Sequence, residues 1–269
     1  MRQAFLVASW LAACAVAACR EPQNDPVTDR IRLVAADASA ADAVATMLRE
    51  YGGYEAWARR HTVEYRYTLS LYGGEPTPSL VTRQVHHIGL GEPLRVELLD
   101  IDTATPQVVS LEGDAINVTQ NGTLVDDASQ IAFRRTYART VRWDFMTPWN
   151  LLDPGARLES RGVRMPQPTG PVPAGPCDVV RLRFDRVTEG GGTDDWYDLY
   201  ISRRSHLVEQ IHSYRADANG YRLAVWSDTR AFDGLRIATR RATYASDASG
   251  AAGRLEAVAE YSDVRFDLP

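Results

Sequence analysis

Thr62-Val63-Glu64-Tyr65-Arg66-Tyr67-Thr68-Leu69-Ser70-Leu71 decides the fold class. Val63, Tyr65, Tyr67, Leu69 and Leu71 alternate with Glu64, Arg66, Thr68 and Ser70. A period of two is that of a strand with one face buried.

Strand-like runs follow at Ser79–Ile88, Leu94–Leu99, Gln107–Leu111, Ala115–Thr119 and Thr123–Val125, the last two joined by the hairpin pair Asn121-Gly122. After an interruption they resume at Arg157–Val163, Asp178–Asp185, Asp195–Ser202, Leu207–Arg215, Tyr221–Phe232, Leu235–Ala245 and Arg254–Phe266. The links between them are mostly short and rich in Gly, Asn and Asp, so neighbouring strands run antiparallel. About eleven strands are expected, and an antiparallel sheet of that size curls or closes as strand twist accumulates. The predicted fold class is mainly β: a strongly curved antiparallel sheet, an unclosed β-barrel, with two helical segments packed against or plugging its concave face.

The first of these helices starts at Ser39, with Asp42 in the capping-box position, and runs over Ala40–Tyr51 to Gly52-Gly53. Tyr54–Arg60, with Trp57, adds another turn or two. The second spans Asp126–Trp143, with Ile131, Ala138 and Val141 inward and its arginines, Arg142 among them, on the wet side. The apolar stretch Phe145–Leu152 follows and must cover something or be covered.

Upstream of all this the chain begins with a basic start, an apolar run from Ala4 to Val16 and the small residues Val16-Ala17-Ala18 before Cys19. That is the pattern of a secretory signal peptide ending in a lipobox, with Cys19 as the lipidation site. Leu11-Ala12-Ala13-Cys14 is a second box with a cramped apolar core. The expected organisation is a signal peptide over 1–18, a lipidated N-terminus and flexible tether over 19–36, and a single β-rich half-barrel domain over 37–269.

Composition narrows the chemistry. The chain has 269 residues and a formal net charge of −5, and loss of Arg2 with the leader takes it to −6. A mildly acidic protein has no electrostatic reason to bind nucleic acid. All 30 basic residues are arginine, so a Schiff base, a lysine base and a P-loop lysine are excluded. Of the three cysteines, Cys177 alone remains in the folded domain, as a small core residue.

Gly-x-Ser-x-Gly, His-Glu-x-x-His, Gly-x-Gly-x-x-Gly and Cys-x-x-Cys are all absent from the sequence. Adjacent His86 and His87 point to opposite faces of a strand, and no metal or cofactor is expected. Asp194, Asp195 and Asp198 follow a triple glycine and read as turn residues. The abundant Trp and Tyr residues fit a pocket lining and a filled core equally well.

The order of elements, with Pro148-Trp149-Asn150-Leu151-Leu152-Asp153-Pro154-Gly155, Val180-Arg181-Leu182-Arg183-Phe184, Trp196-Tyr197-Asp198-Leu199-Tyr200-Ile201 and Phe232-Asp233-Gly234-Leu235-Arg236-Ile237-Ala238, resembles an uncharacterised bacterial lipoprotein family similar to the LolA/LolB-like outer-membrane lipoprotein-sorting carriers. The resemblance implies an unclosed barrel with helices in a hydrophobic concavity, a lipid or acyl-chain ligand and no catalytic residue. The stretch Gly162–Pro176 departs from the carriers.

Three readings follow. The first is a lipid-anchored envelope protein on the periplasmic face, at the outer membrane, that binds a lipid or lipoprotein acyl chains and does no chemistry. Its expected lining is Tyr65, Tyr67, Leu69, Val96, Leu98, Trp149, Leu151, Leu182, Phe184, Leu199 and Ile201. The second is an envelope scaffold with a filled core. The third is a periplasmic hydrolase built on Asp195, Asp198 and His212. An apolar hollow larger than about 300 Å³ favours the binder.

Overall fold

A computed structural model describes residues 26–169 and 175–267. The expected signal peptide and Cys19 lie outside these residues. Thirteen strands form one antiparallel sheet. β1 (Thr62–Leu71), β2 (Leu80–Gly89), β3 (Arg95–Ile101), β4 (Gln107–Glu112), β5 (Ala115–Gln120) and β6 (Thr123–Leu124) form a first meander. β7 (Ala156–Arg164), β8 (Cys177–Phe184), β9 (Trp196–Ser202), β10 (Val208–Arg215), β11 (Gly220–Phe232), β12 (Leu235–Ser246) and β13 (Ala252–Phe266) form a second. The sheet order is β6-β5-β4-β3-β2-β1-β13-β12-β11-β10-β9-β8-β7, so the sheet is curved but not closed, as the sequence predicts. Each strand-like run of the sequence has its strand here, so the expected count of about eleven is low by two, and the Asn121-Gly122 hairpin closes on the two-residue β6.

Among the described residues, only the β1–β13 pairing joins strands distant in sequence. It runs from Val63 opposite Phe266 to Leu71 opposite Ala257, with a bulge between Glu64 and Arg66. Asp267 clamps its end: its Oδ1 accepts from the backbone N–H of His61 at 2.7 Å and of Thr62 at 3.3 Å, while Arg60 donates to its Oδ2 at 3.2 Å.

The helices α1 (Pro26–Val34), α2 (Ala38–Glu50), α3 (Tyr54–Ala58) and α4 (Ala128–Met146), with the 3-10 turn Trp149–Leu152, fill much of the concave side. α1 replaces the outer part of the expected tether. Its Ile31 and Val34 are buried in the same core as the sheet, so apolar contact holds a segment whose polar composition reads as linker.

The N-cap of α2 is Asp37 rather than Ser39. One carboxylate oxygen accepts from Ala40 N at 2.8 Å, and the other accepts from Ser160 N on β7 at 2.9 Å. A carboxylate can serve the helix and an adjacent strand at once, which the hydroxyl of Ser39 cannot. Those two bonds hold the Asp37 carboxyl below its usual range. α4 is capped by Asp127, whose carboxylate accepts from Gln130 N, and runs three residues beyond its expected end, to the Thr147-Pro148 boundary. Arg142 is buried, against expectation: it donates to the carbonyls of Gly89 at 2.9 Å and Gly91 at 3.3 Å and pairs with Glu189.

An aromatic hub closes one end of the concavity. Trp57 and Trp149 stack with ring centroids 4.2 Å apart, Tyr51 meets Trp149 edge-on at 5.8 Å, and Phe145 of α4 stacks on Tyr65 at 4.6 Å. The end of α2 also presses on the β11–β12 turn, where Arg236 N donates to the Tyr51 carbonyl. Gly52, at φ +102°, makes this approach possible: a Cβ there would stand 2.3 Å from the Gly234 carbonyl oxygen. Gly53, at φ +89°, has open space around it.

Gly52→Ala should therefore destabilise the domain by about 2–3 kcal/mol, combining left-handed strain with a backbone clash. Gly53→Ala should cost about 1 kcal/mol, from strain alone. Thermal melts of the two variants check the order, and equal losses would remove the close-approach argument.

Candidate functional site

α4 packs over β3, β4 and β5, whereas α2 packs over β7 and β8. The central strands between these two covers retain a cleft of about 550 Å³, partly open to solvent. Strand alternation builds its floor: Tyr67 and Leu69 from β1, Ala257, Ala259 and Tyr261 from β13, Arg241 and Thr243 from β12, Ala224 and Trp226 from β11, Ile211 and Ser213 from β10. Tyr137, Val141 and Asp144 of α4 recur at helical spacing and form the overhang.

The space has a cause in the sequence. In the register, Leu71, Ala257, Thr243, Ala224 and Ile211 stand side by side across five adjacent strands. Ala257, Thr243 and Ala224 are small, and the next row carries Ala259 between Leu69 and Arg241. Small side chains in the middle of a curved sheet leave a depression that α4 spans without filling. The first ten residues of α4 are largely exposed, including Phe133 at 63%.

Of the eleven expected lining residues, Tyr67 and Leu69 reach the cleft. Tyr65, Val96 and Leu98 are buried in the core on the α4 side. Trp149 and Leu151 belong to the aromatic hub and its neighbourhood, and Leu182, Phe184, Leu199 and Ile201 are packed in the core on the β8–β9 side. Strand alternation does not say which inward positions a helix fills, and Trp149 and Leu151 lie on the 3-10 turn rather than on a strand. The signal that marks the cleft is the row of small residues Ala224, Thr243 and Ala257, which only the strand register brings together.

The cleft is more polar than a pure acyl pocket. Arg215 pairs with Asp217 at 2.8 Å and with Asp195 at 3.4 Å, Arg222 pairs with Glu256 at 3.1 Å, and Glu189 pairs with Arg142. Burial pushes the Asp144 carboxyl above its usual range, against the pull of Arg241 and Arg215.

A buried network ties α4 to the sheet beside the cleft. Tyr137 donates its hydroxyl proton to Gln84 Oε1 at 2.9 Å, and Gln84 Nε2 donates to Asp100 at 2.8 Å. His86 lies 2.8 Å from the same Gln84 oxygen through Nε2 and 3.1 Å from the Tyr65 hydroxyl through Nδ1. The arrangement is fully satisfied with a neutral ring that donates from Nε2 and accepts at Nδ1. Burial depresses the His86 pKa from 6.5 to about 3. His87, on the opposite face, pairs instead with Glu64 at 3.2 Å.

The residues of the hydrolase reading do not line the cleft, although Asp198 and His212 are cross-strand neighbours. Asp198 is held by Arg181 through two bonds of 2.6 and 2.7 Å. It sits directly across the β9–β10 pair from His212, on the face of the sheet away from the helices. His212 has its own partner, the Asp247 carbonyl at 3.0 Å. Asp195 accepts from Gly192 N and Ala216 N and stabilises the β8–β9 loop. Cys177 packs with Val179 and Tyr200 on that outer face, and burial pushes its thiol up to about 12. Among the described residues no group of His, Cys, Asp and Glu is arranged to hold a metal ion, and no helix is long and apolar enough to cross a membrane.

No family model matches the sequence, and no curated protein does. The architecture, however, has solved counterparts. A DUF1329 family protein from Desulfovibrio piger superposes with a TM-score of 0.53 at 12% identity, over 86% of this chain and 95% of that one. A LolA superfamily protein from Nitrosomonas europaea superposes with a TM-score of 0.51 at 9% identity, over 83% of this chain and 93% of that one. At such identities the likeness is one of fold, and the fold is LolA-like.

The pH dependence of stability tests the His86 site. A histidine depressed from 6.5 to about 3 stabilises the fold fully above pH 6.5, and this contribution is lost as pH falls, by about 1.4 kcal/mol per unit. Urea unfolding between pH 7 and 5 should show that slope, and in His86→Gln it should flatten by about 2 kcal/mol over the interval. An unchanged slope would place the proton elsewhere.

Proposed function

We propose that this protein is a non-enzymatic carrier of the cell envelope, anchored by a lipid on Cys19, that binds a hydrophobic ligand in the cleft beneath α4. The observation that carries the reading is the cleft itself. Its volume of about 550 Å³ falls in the range of small-molecule sites, and Tyr67, Leu69, Val141, Ile211, Trp226 and Tyr261 give it apolar and aromatic walls on both floor and overhang. Burial of an acyl chain there contributes about 0.8 kcal/mol per methylene, so one chain suffices for useful affinity without any bond being made or broken.

The LolA-like fold supports the same reading, as does the engagement of Asp195, Asp198 and His212 with partners outside the cleft. The second reading, an envelope scaffold, draws support from the filled remainder of the concavity, where α1, α2 and the Trp149–Leu152 turn occupy the space that an acyl chain would need.

Two experiments separate the readings. The chain carrying Cys19→Ser should retain acyl species in native mass spectrometry and bind a fluorescent fatty acid. Ala257→Phe and Ala259→Phe should each weaken that binding about tenfold or more by filling the floor, with little loss of stability because the space is open. Absence of bound lipid together with absence of probe binding would leave the scaffold.

For the anchor, the same Cys19→Ser change should move the protein from the membrane fraction to the soluble fraction. Retention at the membrane would refute lipidation at that residue.

A further inference from the structure

Arg241 is the unusual group of the cleft. It sits at mid-sheet on β12, between Trp226 of β11 and Ala259 of β13, and is only 7% exposed. Its guanidinium lies 3.9 Å from the Trp226 ring centroid and 5.0 Å from that of Tyr261. One N–H, on Nη1, donates to the backbone carbonyl of Asp144 in α4. Its Nε is buried and has no hydrogen-bond partner, and no carboxylate lies within ion-pairing distance of it among the described residues. The other arginines of the cleft, Arg215 and Arg222, each have a carboxylate.

A buried cation with an unmet donor is costly unless an anion or a further acceptor reaches it. Aromatic faces on two sides stabilise the charge but accept no N–H bond in its plane. The guanidinium fork is shaped for two oxygens of one carboxylate or phosphate. The space in front of it is the cleft, whose walls suit an apolar chain.

We infer that Arg241 anchors the anionic headgroup, carboxylate or phosphate, of an amphiphile whose chain lies in the cleft along Leu69, Ala259 and the Ala224–Thr243–Ala257 row. This inference rests on the carrier reading and adds the class of ligand. The headgroup oxygens accept from Nε and the free edge of the guanidinium, and the Asp144 carboxyl on the overhang restricts them to the Arg241 side of the cleft. An alcohol or a neutral ester fills the same volume but leaves the guanidinium unmet.

The test compares palmitate, hexadecyl phosphate, hexadecanol and inorganic phosphate as competitors of a fluorescent fatty acid on the Cys19→Ser chain. Palmitate and hexadecyl phosphate should compete about tenfold or more better than hexadecanol, as expected for a charge-assisted pair in a partly dry site, and inorganic phosphate should compete weakly. Arg241→Met, which keeps the stem against Trp226, should abolish the preference for the anion, and Arg241→Lys should retain part of it. Thermal melts establish that each variant is folded, and if Arg241→Met is not, the wild-type ratio and Arg241→Lys decide.

Equal competition by palmitate and hexadecanol overturns the headgroup assignment and leaves the carrier standing. A preference that survives Arg241→Met moves the anchor to another residue and overturns it too. Phosphate competing as well as hexadecyl phosphate replaces the amphiphile with a small anion. Failure of every competitor and of the probe overturns the carrier reading and this inference with it.

Discussion

The pairing of the first strand with the last is the constraint on which the structure depends. Twelve adjacent pairs make up the sheet order, and eleven of them are hairpins or short connections that either meander could form alone. The twelfth, β1 with β13, joins the meanders at their inner edges and sends β6 and β7 to opposite extremes. The chain leaves one extreme and must re-enter at the other, so α4 and the Trp149–Leu152 turn have to cross the concave face. A helix of 19 residues spans about 28 Å, enough to make most of that crossing. Asp267 and Arg60, at the end of the seam, hold the closure from which the crossing follows.

The crossing also decides where the hollow lies. α4 is fixed near its C-terminal end, by Arg142 to the Gly89 and Gly91 carbonyls, by Phe145 in the aromatic hub and by Arg241 to the Asp144 carbonyl. Toward its middle it is held by Tyr137 through Gln84, and before that it is largely exposed. A strut held in this way stands over a floor of Ala224, Thr243, Ala257 and Ala259, with Tyr261 of the sheet against its Phe145 at 5.9 Å between ring centroids. The cleft is therefore a consequence of residue size at inward positions along a row, set against the fixed path of one helix.

Much of this was legible in the sequence. The period of two in Thr62–Leu71 and its repetitions gives the strands, and short turns give their antiparallel order, because both signals are local. What was illegible is non-local. Ser39 fits the rule for a helix cap, yet Asp37 takes the position because Ser160, on a strand 123 residues further on, offers a second donor. Arg142 fits the wet face of a helix, yet loop carbonyls from the far end of β2 accept its protons. Pro26–Val34 fits a tether, yet Ile31 finds a core to enter. Inward parity identified Tyr65 and Leu98 as readily as Tyr67 and Leu69. Separating packed from open required knowledge of where α2 and α4 lie, and only the register of β11, β12 and β13 brings the small residues into one row.

One surface thus serves two physical tasks. Under α1, α2 and the hub, inward side chains meet helices and form a buried core, where Trp57, Trp149, Tyr51 and Phe145 interlock. Under the stretch of α4 from Tyr137 to Asp144, inward side chains of the central strands face a hollow, and among them stands a guanidinium whose Nε has no acceptor. A protein that needed only stability would be better served there by an apolar side chain, because well-packed apolar groups commonly equal or exceed buried charge in stability. Trp226 and Tyr261 cradle this cation rather than excluding it, and the Asp144 carbonyl orients it toward the hollow. The stability given up at mid-sheet is intelligible if the missing acceptor is part of something the cleft receives.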